Sequence, residues 1–357
     1  MNHPVHVPPQ SPLSPQRPPP TSKAPIKMIV AWTVGLTLLA WLLSRTPFSE
    51  VREAITRPSI GIWTLTLGGL LLSYGLRSAR LQVVLALDDH NRAPRRWLGL
   101  RTDALRVILM HNAAVNLLPM RAGELSFPWL ASRELNLPLA RAVACLLWMR
   151  VQDLIVLITL GVLLWPGVAL LWRGTALTAM VLGWWIVSWG LRRWYGQHPE
   201  AHTPKPAAST NQSNKMSHVL QRLRHALLEP AHHRPMAWLL TLANWSVKLA
   251  AGACLLSAIS GSNWGTAWSG ALGGELAAVV PLQGPAGFGT YEAGVWAGMA
   301  AHLSTQSPAL ALAVSAALAL HVCFLLCAVL AGAVAWLLGH LSSDPTTQQK
   351  RPPRQTL

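Results

Sequence analysis

Charged side chains inside long apolar stretches are the feature of this sequence that most directly suggests chemistry. Arg121 and Glu124 lie in residues 112–127, an apolar stretch that a proline and a glycine interrupt. Arg150 and Asp153 lie three positions apart in an uninterrupted apolar run, so they share one face of a helix. A charged side chain at the centre of a membrane helix costs about 2.5–3.5 kcal/mol. We therefore expect these residues either to form ion pairs that hold helices together or to bind a polar ligand.

A second broken stretch, residues 281–292, contains two prolines and three glycines between two short apolar runs. Each run alone is too short to span about 30 Å of hydrocarbon. Irregular backbone at membrane depth is tolerated only where it lines a cavity or is buried in protein. The N–H groups around Gly287 and Gly289 can receive an anionic group, and Glu292 either complements the dipole of the following helix or takes part in a site.

Basic and amide side chains near these stretches are further candidates for binding. Arg77 and Arg80 lie towards the end of an apolar run, where long side chains can also snorkel to the membrane interface. Asn112 and Asn116 are four residues apart on one helix face. Their amides can hydrogen-bond a headgroup or join two helices.

An arginine side chain presents a planar fork of donors that suits a phosphate group. We therefore expect Arg121 and Arg150 to hold an anionic headgroup. Glu124, Asp153 and Glu292 are expected to balance those charges and to meet a cationic headgroup or a proton. We expect the two broken stretches to form one site.

The histidines and cysteines do not show the spacing of a metal site. His111 and His321 lie in apolar runs and are interpreted as packing residues or polar links between helices. The chain has no nucleophile elbow, phosphate-binding loop or dinucleotide fingerprint. The sequence therefore predicts no metal, no cofactor and no catalytic residue, and it favours a function other than catalysis.

The composition indicates how these residues are positioned. Hydrophobic residues make up 52% of the 357 residues and charged residues only 12%, whereas a soluble domain carries about 25% charged residues. The formal charge of +16 comes mostly from loops and tails, where the positive-inside rule places Lys and Arg. These observations predict an all-α, polytopic bundle of transmembrane helices and no nucleic-acid partner.

The order of apolar and polar segments predicts one membrane domain, residues 26–341, with a polar loop at residues 196–235. The Pro-rich tail, residues 1–25, is expected to be disordered, and residues 342–357 form a polar tail. Spanning helices are predicted at residues 28–44, 60–87, 139–165, 175–191, 236–259 and 309–338.

The distribution of basic residues predicts the topology. Both tails and the loops at residues 88–101 and 196–235 carry most of the basic residues outside the apolar runs, so all four are expected in the cytoplasm. Each broken stretch then enters and leaves on one side of the membrane, and the two enter from opposite sides. They are predicted to be re-entrant hairpins or pairs of short helices, and this topology suggests an inverted repeat.

Three motifs occur in one order along the chain: Asn-Leu-Leu-Pro-Met-Arg-Ala-Gly-Glu at residues 116–124, Arg-Val-Gln-Asp at residues 150–153, and the Pro- and Gly-rich residues 281–292. With these motifs the chain resembles the transmembrane region of lysylphosphatidylglycerol synthases and related stand-alone flippase-like proteins. Arg77 and Arg80 resemble the family's basic residues at the end of an early helix. The resemblance implies a helical bundle that moves a lipid headgroup between leaflets.

The aminoacyltransferase activity of the synthases is not expected here, because the longest predicted soluble segment is the 196–235 loop. We expect an inner-membrane protein that binds or translocates a phospholipid, glycolipid or hopanoid-type lipid. One alternative is a membrane transferase that uses a lipid-linked donor, with carboxylates at Glu50, Glu53, Asp88 or Asp89. The other is a scaffold for a lipid-biosynthetic enzyme.

Overall fold

The computed structural model describes residues 48–87, 96–197, 234–279 and 285–342, together with the helical positions 33, 37, 40 and 44. The predicted 1–25 tail lies outside these residues, as do nearly all of the 342–357 tail and the 196–235 loop. Most of the predicted first spanning helix, residues 28–44, and the carboxylates Asp88 and Asp89 also lie outside them.

The described residues are almost entirely helical. The helices are α1 (Phe48–Thr56), α2 (Ile60–Val84), α3 (Thr102–Leu117), α4 (Ser126–Glu134), α5 (Leu139–Leu164), α6 (Leu170–Gln197), α7 (Pro235–Ser260), α8 (Trp264–Ala277), α9 (Thr290–Ala300), α10 (Pro308–Ala311) and α11 (Ala313–Ser342). Two short strands, β1 (Arg96–Trp97) and β2 (Leu100–Arg101), pair in an antiparallel hairpin before α3. Two 3-10 segments, Pro119–Leu125 and Pro285–Gly287, lie in the two broken stretches; we call them the first and second turn segments.

Three described helical stretches are long and apolar enough to cross a membrane: α5, α7 and Ala313–His340 of α11. A further apolar stretch, Leu170–Gly183 in α6, is shorter. Large apolar side chains on the outer faces of these helices are about half exposed, among them Ile158 on α5 and Val329 on α11. Such faces suit contact with lipid tails. The prediction of an all-α helical membrane protein is confirmed.

Helices α2 and α7 run antiparallel along their whole length. Arg57 Nη1, just before α2, donates to the Ile259 carbonyl oxygen at 2.8 Å. Near the other end of the pair, Arg80 Nη1 donates to Thr241 Oγ1 at 3.0 Å. Between these contacts a Cβ on Gly69 would lie 2.9 Å from the Cβ of Ala251, so the two backbones approach closely. We call the end of the bundle where α7 begins and α2 ends the proximal end, and the opposite end the distal end.

Contacts between the other helices give their directions. Helix α5 runs parallel to α7, because Trp148 packs on Trp238 with ring centroids 6.5 Å apart and Asp153 contacts Trp245 further along both helices. Helix α11 runs antiparallel to α7 and to α3. The antiparallel direction of α11 and α3 follows from two contacts. Arg106 Nε donates to the Ala335 carbonyl oxygen, and Gly332 lies close to Ala113.

The first broken stretch is a hairpin that enters and leaves at the proximal end. Its 16-residue helix α3 is about 24 Å long, too short to span the hydrocarbon. The first turn segment then folds back onto α3. Gly123 permits this contact, because a Cβ there would overlap the backbone of Ala114 and Val115. The short helix α4 returns the chain to the proximal start of α5.

The second broken stretch is a hairpin at the distal end. Helices α8 and α9 have 14 and 11 residues, about 21 and 16 Å. They pack directly on each other through glycines: a Cβ on Gly273 would overlap the Gly294 carbonyl oxygen, and one on Gly298 would overlap that of Ser269. The chain then re-enters the bundle in α11.

The two hairpins meet inside the bundle. The first turn segment contacts the second turn segment, which also contacts α3. The structure therefore has the opposed broken hairpins that the sequence predicts. The inverted repeat, which is a relation between the two halves of the chain, stays a prediction.

The close approach of α8 and α9 makes a prediction about stability. Replacing Gly298 by Ala puts a methyl group where the Ser269 carbonyl lies, and backbone cannot move aside cheaply. We expect a loss of about 1–3 kcal/mol, the usual range for overpacking, measured as a lower melting temperature of the purified protein in detergent. Gly68→Ala is the matched control, because nothing lies within 4 Å of a Cβ at that position. Equal melting temperatures for the two variants would contradict the packing argument.

Candidate functional site

A layer of polar side chains crosses the bundle between two apolar cores. The larger core includes Tyr74 on α2, and the smaller core includes Leu81 on the same helix; Arg77 and Arg80 lie in the turn between them. The same order holds on α5 and α7. We call this set the polar layer: Arg77 and Arg80 on α2, Arg150 and Asp153 on α5, and Thr241 and Asn244 on α7.

Asp153 is the central group of the polar layer. It is 5% exposed, and its Oδ1 accepts hydrogen bonds from Arg80 Nη1 at 2.6 Å and from Trp245 Nε1 at 2.9 Å. Its Oδ2 accepts from Arg150 Nη1 at 3.3 Å. One carboxylate therefore joins α2, α5 and α7. The predicted pair of Arg150 and Asp153 is present, but Asp153 makes its shorter bonds to other helices.

Arg150 connects the polar layer to the first turn segment. Its Nη2 donates to both oxygens of Glu124, at 2.7 and 2.8 Å. Since Arg150 also contacts Asp153, its guanidinium is shared between two carboxylates. His111 lies close by: its Nδ1 is 3.1 Å from Ser126 Oγ, and its Nε2 is 3.8 Å from Glu124 Oε2. Glu124 thus ties the first hairpin to α5.

Arg77 differs from the other two arginines because its partners are neutral amides. Its Nη1 donates to Asn112 Oδ1 at 2.8 Å and its Nε to Asn244 Oδ1 at 3.2 Å. The guanidinium lies over the Trp245 ring, 5.5 Å from its centroid. Within the described part of the chain Arg77 forms no ion pair with a carboxylate. Asn116, which shares a face with Asn112, donates instead to the Asn112 carbonyl oxygen at 2.8 Å.

The second hairpin has its own cluster around Glu292, which is fully buried. Glu292 Oε2 accepts from the Gly289 N–H at 2.6 Å, and its Oε1 lies 2.6 Å from His321 Nδ1. His321 Nε2 is 2.9 Å from the Ala286 carbonyl oxygen. Both ring nitrogens of His321 thus lie within hydrogen-bond distance of an oxygen atom. The Gly289 N–H, which was predicted to donate a hydrogen bond to a bound anion, donates instead to the protein's own Glu292 carboxylate.

The backbone conformation of the second hairpin explains why two of its turn positions are glycines. Gly287 and Gly289 have φ of 85° and 84°, values that favour glycine, and Ala286 between the prolines and Gly287 has φ of 52°. Gly287 also lies against His321, since a Cβ on it would be 3.6 Å from the imidazole ring. These two glycines therefore shape the turn that faces His321.

A further buried ion pair contains Lys248, which was not among the predicted site residues. Lys248 Nζ donates to Glu275 Oε2 at 2.7 Å and lies 4.8 Å from the centroid of the Phe324 ring. The sequence does carry a signal for it: Thr241, Asn244, Trp245 and Lys248 follow the spacing of one helix face in an otherwise apolar run.

The structure brings five of the predicted residues into one network. Arg77, Arg80, Arg150, Asp153 and Glu124 are connected through shared hydrogen-bond partners or Trp245. Glu292 has no direct bond to these arginines among the described residues. The Arg121 side chain, predicted to bind the headgroup, lies outside the described residues. No group of three or more possible metal-binding His, Cys, Asp or Glu side chains occurs in the described ranges.

The burial of Asp153 makes a second stability prediction. Asp153→Asn leaves Arg80, whose side chain is 5% exposed, without its counter-charge. Breaking a buried pair in this way costs about 3–5 kcal/mol, so we expect a large fall in the melting temperature in detergent. Glu53→Gln is the control, because its pair with Arg57 is about half exposed and such pairs contribute little. An unchanged melting temperature for Asp153→Asn would show that this carboxylate does not hold the helices together.

Comparison with known proteins places the chain in a family. The family model described as the lysylphosphatidylglycerol synthase TM region matches residues 28–332, a range that includes every residue of the polar layer and both hairpins. None of the curated proteins matches the chain. The protein is therefore a membrane protein that belongs to the family of the lysylphosphatidylglycerol synthase TM region.

Proposed function

We propose that this protein binds a membrane lipid by its headgroup and moves it between the two leaflets. The observation that carries the proposal is the meeting of two hairpins, from opposite ends of the bundle, beside a buried layer of charges. Irregular backbone and buried charges are costly at membrane depth and commonly mark a substrate path. The family membership supports the same reading.

The polar layer supplies the hydrogen bonds and counter-charges that a headgroup loses when it leaves water. Arg150 is better placed than Arg80 to receive a phosphate, because its side chain is 34% exposed whereas that of Arg80 is almost fully buried. An arginine fork can exchange a carboxylate for a phosphate, since both accept paired hydrogen bonds. Glu124 and Asp153 balance the charge of Arg150 while no headgroup is bound.

In this proposal each of the two carboxylates on the hairpins holds its own hairpin in the closed position. Glu124 fastens the proximal hairpin to Arg150, and Glu292 fastens the distal hairpin to His321 on α11. A headgroup phosphate that competes for Arg150 frees Glu124 and loosens the proximal hairpin. Because Glu124 and Glu292 have different partners, one hairpin can open while the other stays closed, as alternating access requires.

The proposed orientation follows from the basic residues. The 196–235 loop joins α6 to α7 at the proximal end and is rich in Lys and Arg. Under the positive-inside rule the proximal end faces the cytoplasm, which also places both termini there. The membrane in this proposal is the inner membrane.

Reconstitution into liposomes tests the proposed function. We expect purified protein to move fluorescent phospholipids between leaflets, measured as the fraction accessible to a membrane-impermeant quencher. Arg150→Gln removes the partly exposed guanidinium, and we expect the rate to fall about tenfold or more, which corresponds to a barrier about 1.4 kcal/mol higher.

Arg106→Gln is the matched control for this experiment. Arg106 also pairs with a carboxylate, Glu134, at similar burial, but it lies outside the polar layer. We expect this variant to retain lipid movement. If both variants lose movement equally, or if the wild-type protein moves no lipid, the proposed function is wrong.

A further inference from the structure

The β hairpin formed by β1 and β2 exposes two large apolar side chains at its tip. Trp97 is 45% exposed and Leu98 is 80% exposed. The strands pair Trp97 with Leu100, so Leu98 and Gly99 form a two-residue turn. We call residues 97–99 the hairpin tip. Neither Trp97 nor Leu98 belongs to the two apolar cores of the described residues, so their burial inside the protein does not explain them.

Leu98 also has a backbone conformation that leucine rarely adopts. Its φ is 49° and that of Gly99 is 78°. Both central residues of a type I′ turn have positive φ, and the first of them is usually Asn, Asp or Gly. Asn136, in the loop between α4 and α5, offers a comparison: it is exposed, its φ is 54°, and Asn is a residue type that favours this region. Leucine at the tip is therefore unfavourable for the backbone and, in water, for the side chain.

The base of the β hairpin is attached to the bundle. The Arg101 N–H donates to Gln82 Oε1 at 3.3 Å, and the Arg101 guanidinium pairs with Asp103 at 2.8 Å. Leu100 packs against the larger core. Residues directly opposite each other in an antiparallel pair point to the same face. Trp97 therefore lies on the face of the β hairpin that is turned towards the apolar bundle, and the tip has a defined position.

The β hairpin lies level with the proximal end of α11. Arg106, in the second turn of α3, contacts Ala335, and the β hairpin directly precedes α3. Because α3 and α11 are antiparallel, the β hairpin is level with the last turns of α11. Those turns carry Trp336, which is 64% exposed in a stretch long and apolar enough to cross a membrane. Tryptophan near the end of a spanning helix marks the membrane–water interface, so the tip lies at the depth of that interface.

We propose that the hairpin tip inserts into the interfacial region of the bilayer, where the lipid headgroups meet the acyl chains. Trp97 suits this region because its ring is apolar and its N–H is a hydrogen-bond donor. Leu98 reaches the acyl chains, and its removal from water offsets the cost of its left-handed backbone. Since β2 leads directly into α3, the inserted tip fixes the depth at which the first broken hairpin begins. This proposal does not depend on lipid movement.

Fluorescence quenching of the full-length chain in phosphatidylcholine nanodiscs tests the insertion. A bimane label is attached to Leu98→Cys and, as the matched control, to Asn136→Cys. The described native cysteines are buried or half-buried, and the wild-type chain treated with the same reagent gives the background. Lipids with a nitroxide near the headgroup quench from the membrane, and iodide quenches from water. We expect nitroxide lipids to quench position 98 at least about threefold more strongly than position 136, and iodide to show the opposite order.

Three outcomes of this experiment would overturn the proposal. Equal quenching of the two positions by the nitroxide lipids would show that the tip has no special contact with the bilayer. Strong quenching of position 98 by iodide would place it in water. Weak quenching of position 98 by both reagents would show that protein covers the tip, either a second copy of this chain or a different partner.

Trp97→Ser tests whether the two apolar residues of the tip insert together. We expect nitroxide-lipid quenching of the label at position 98 to fall by about half, because the tip loses its interfacial ring. Trp129→Ser on α4 is the matched control, since Trp129 is also exposed, at 55%, but lies outside the tip. This variant should leave the quenching at position 98 unchanged. Equal melting temperatures in detergent would show that both variants fold, and unchanged quenching in Trp97→Ser would then contradict joint insertion.

Discussion

The constraint on which this structure depends is the cost of a buried charge. Asp153 lies in the middle of an apolar helix and is tolerable only because Arg80, Arg150 and Trp245 reach it. Arg80 comes from α2 and Trp245 from α7, so satisfying this carboxylate sets the register of three helices at once. The antiparallel pair of α2 and α7 agrees with that register along its length, from Arg57 and Ile259 to Arg80 and Thr241.

The polar layer in turn determines where the hairpins can end. Irregular backbone needs hydrogen-bond partners that lipid does not supply, and the two turn segments find them in protein. Glu124 in the first turn segment is held by Arg150, and Glu292 beside the second turn segment is held by the Gly289 N–H and by His321. Close backbone contacts at Gly123 and between α8 and α9 leave room for these polar groups at the meeting point of the hairpins.

Two clusters of different character therefore face each other across the bundle. The first contains three arginines and two carboxylates. The second consists of the Glu292 carboxylate and the His321 imidazole, 2.6 Å apart, surrounded by the rings of Phe288, Tyr291 and Phe324. Phe324 also contacts Lys248, which lies beside Trp245 of the polar layer. Helix α11 therefore contacts both the Glu292 cluster and the lysine that lies beside Trp245.

The sequence by itself determined the helical membrane class, the two broken stretches and the residues worth testing, because hydropathy, Pro and Gly act locally. It also determined that Arg150 and Asp153 share a helix face. Only the tertiary structure decided the partners: Arg80 meets Asp153 across 73 positions, and Arg150 takes Glu124 across 26. Helix periodicity relates only residues three or four apart, whereas pairing between helices depends on how their surfaces pack. For the same reason the amide hydrogen-bond partners of Arg77 and the contact between Glu292 and His321 could not be predicted from the sequence.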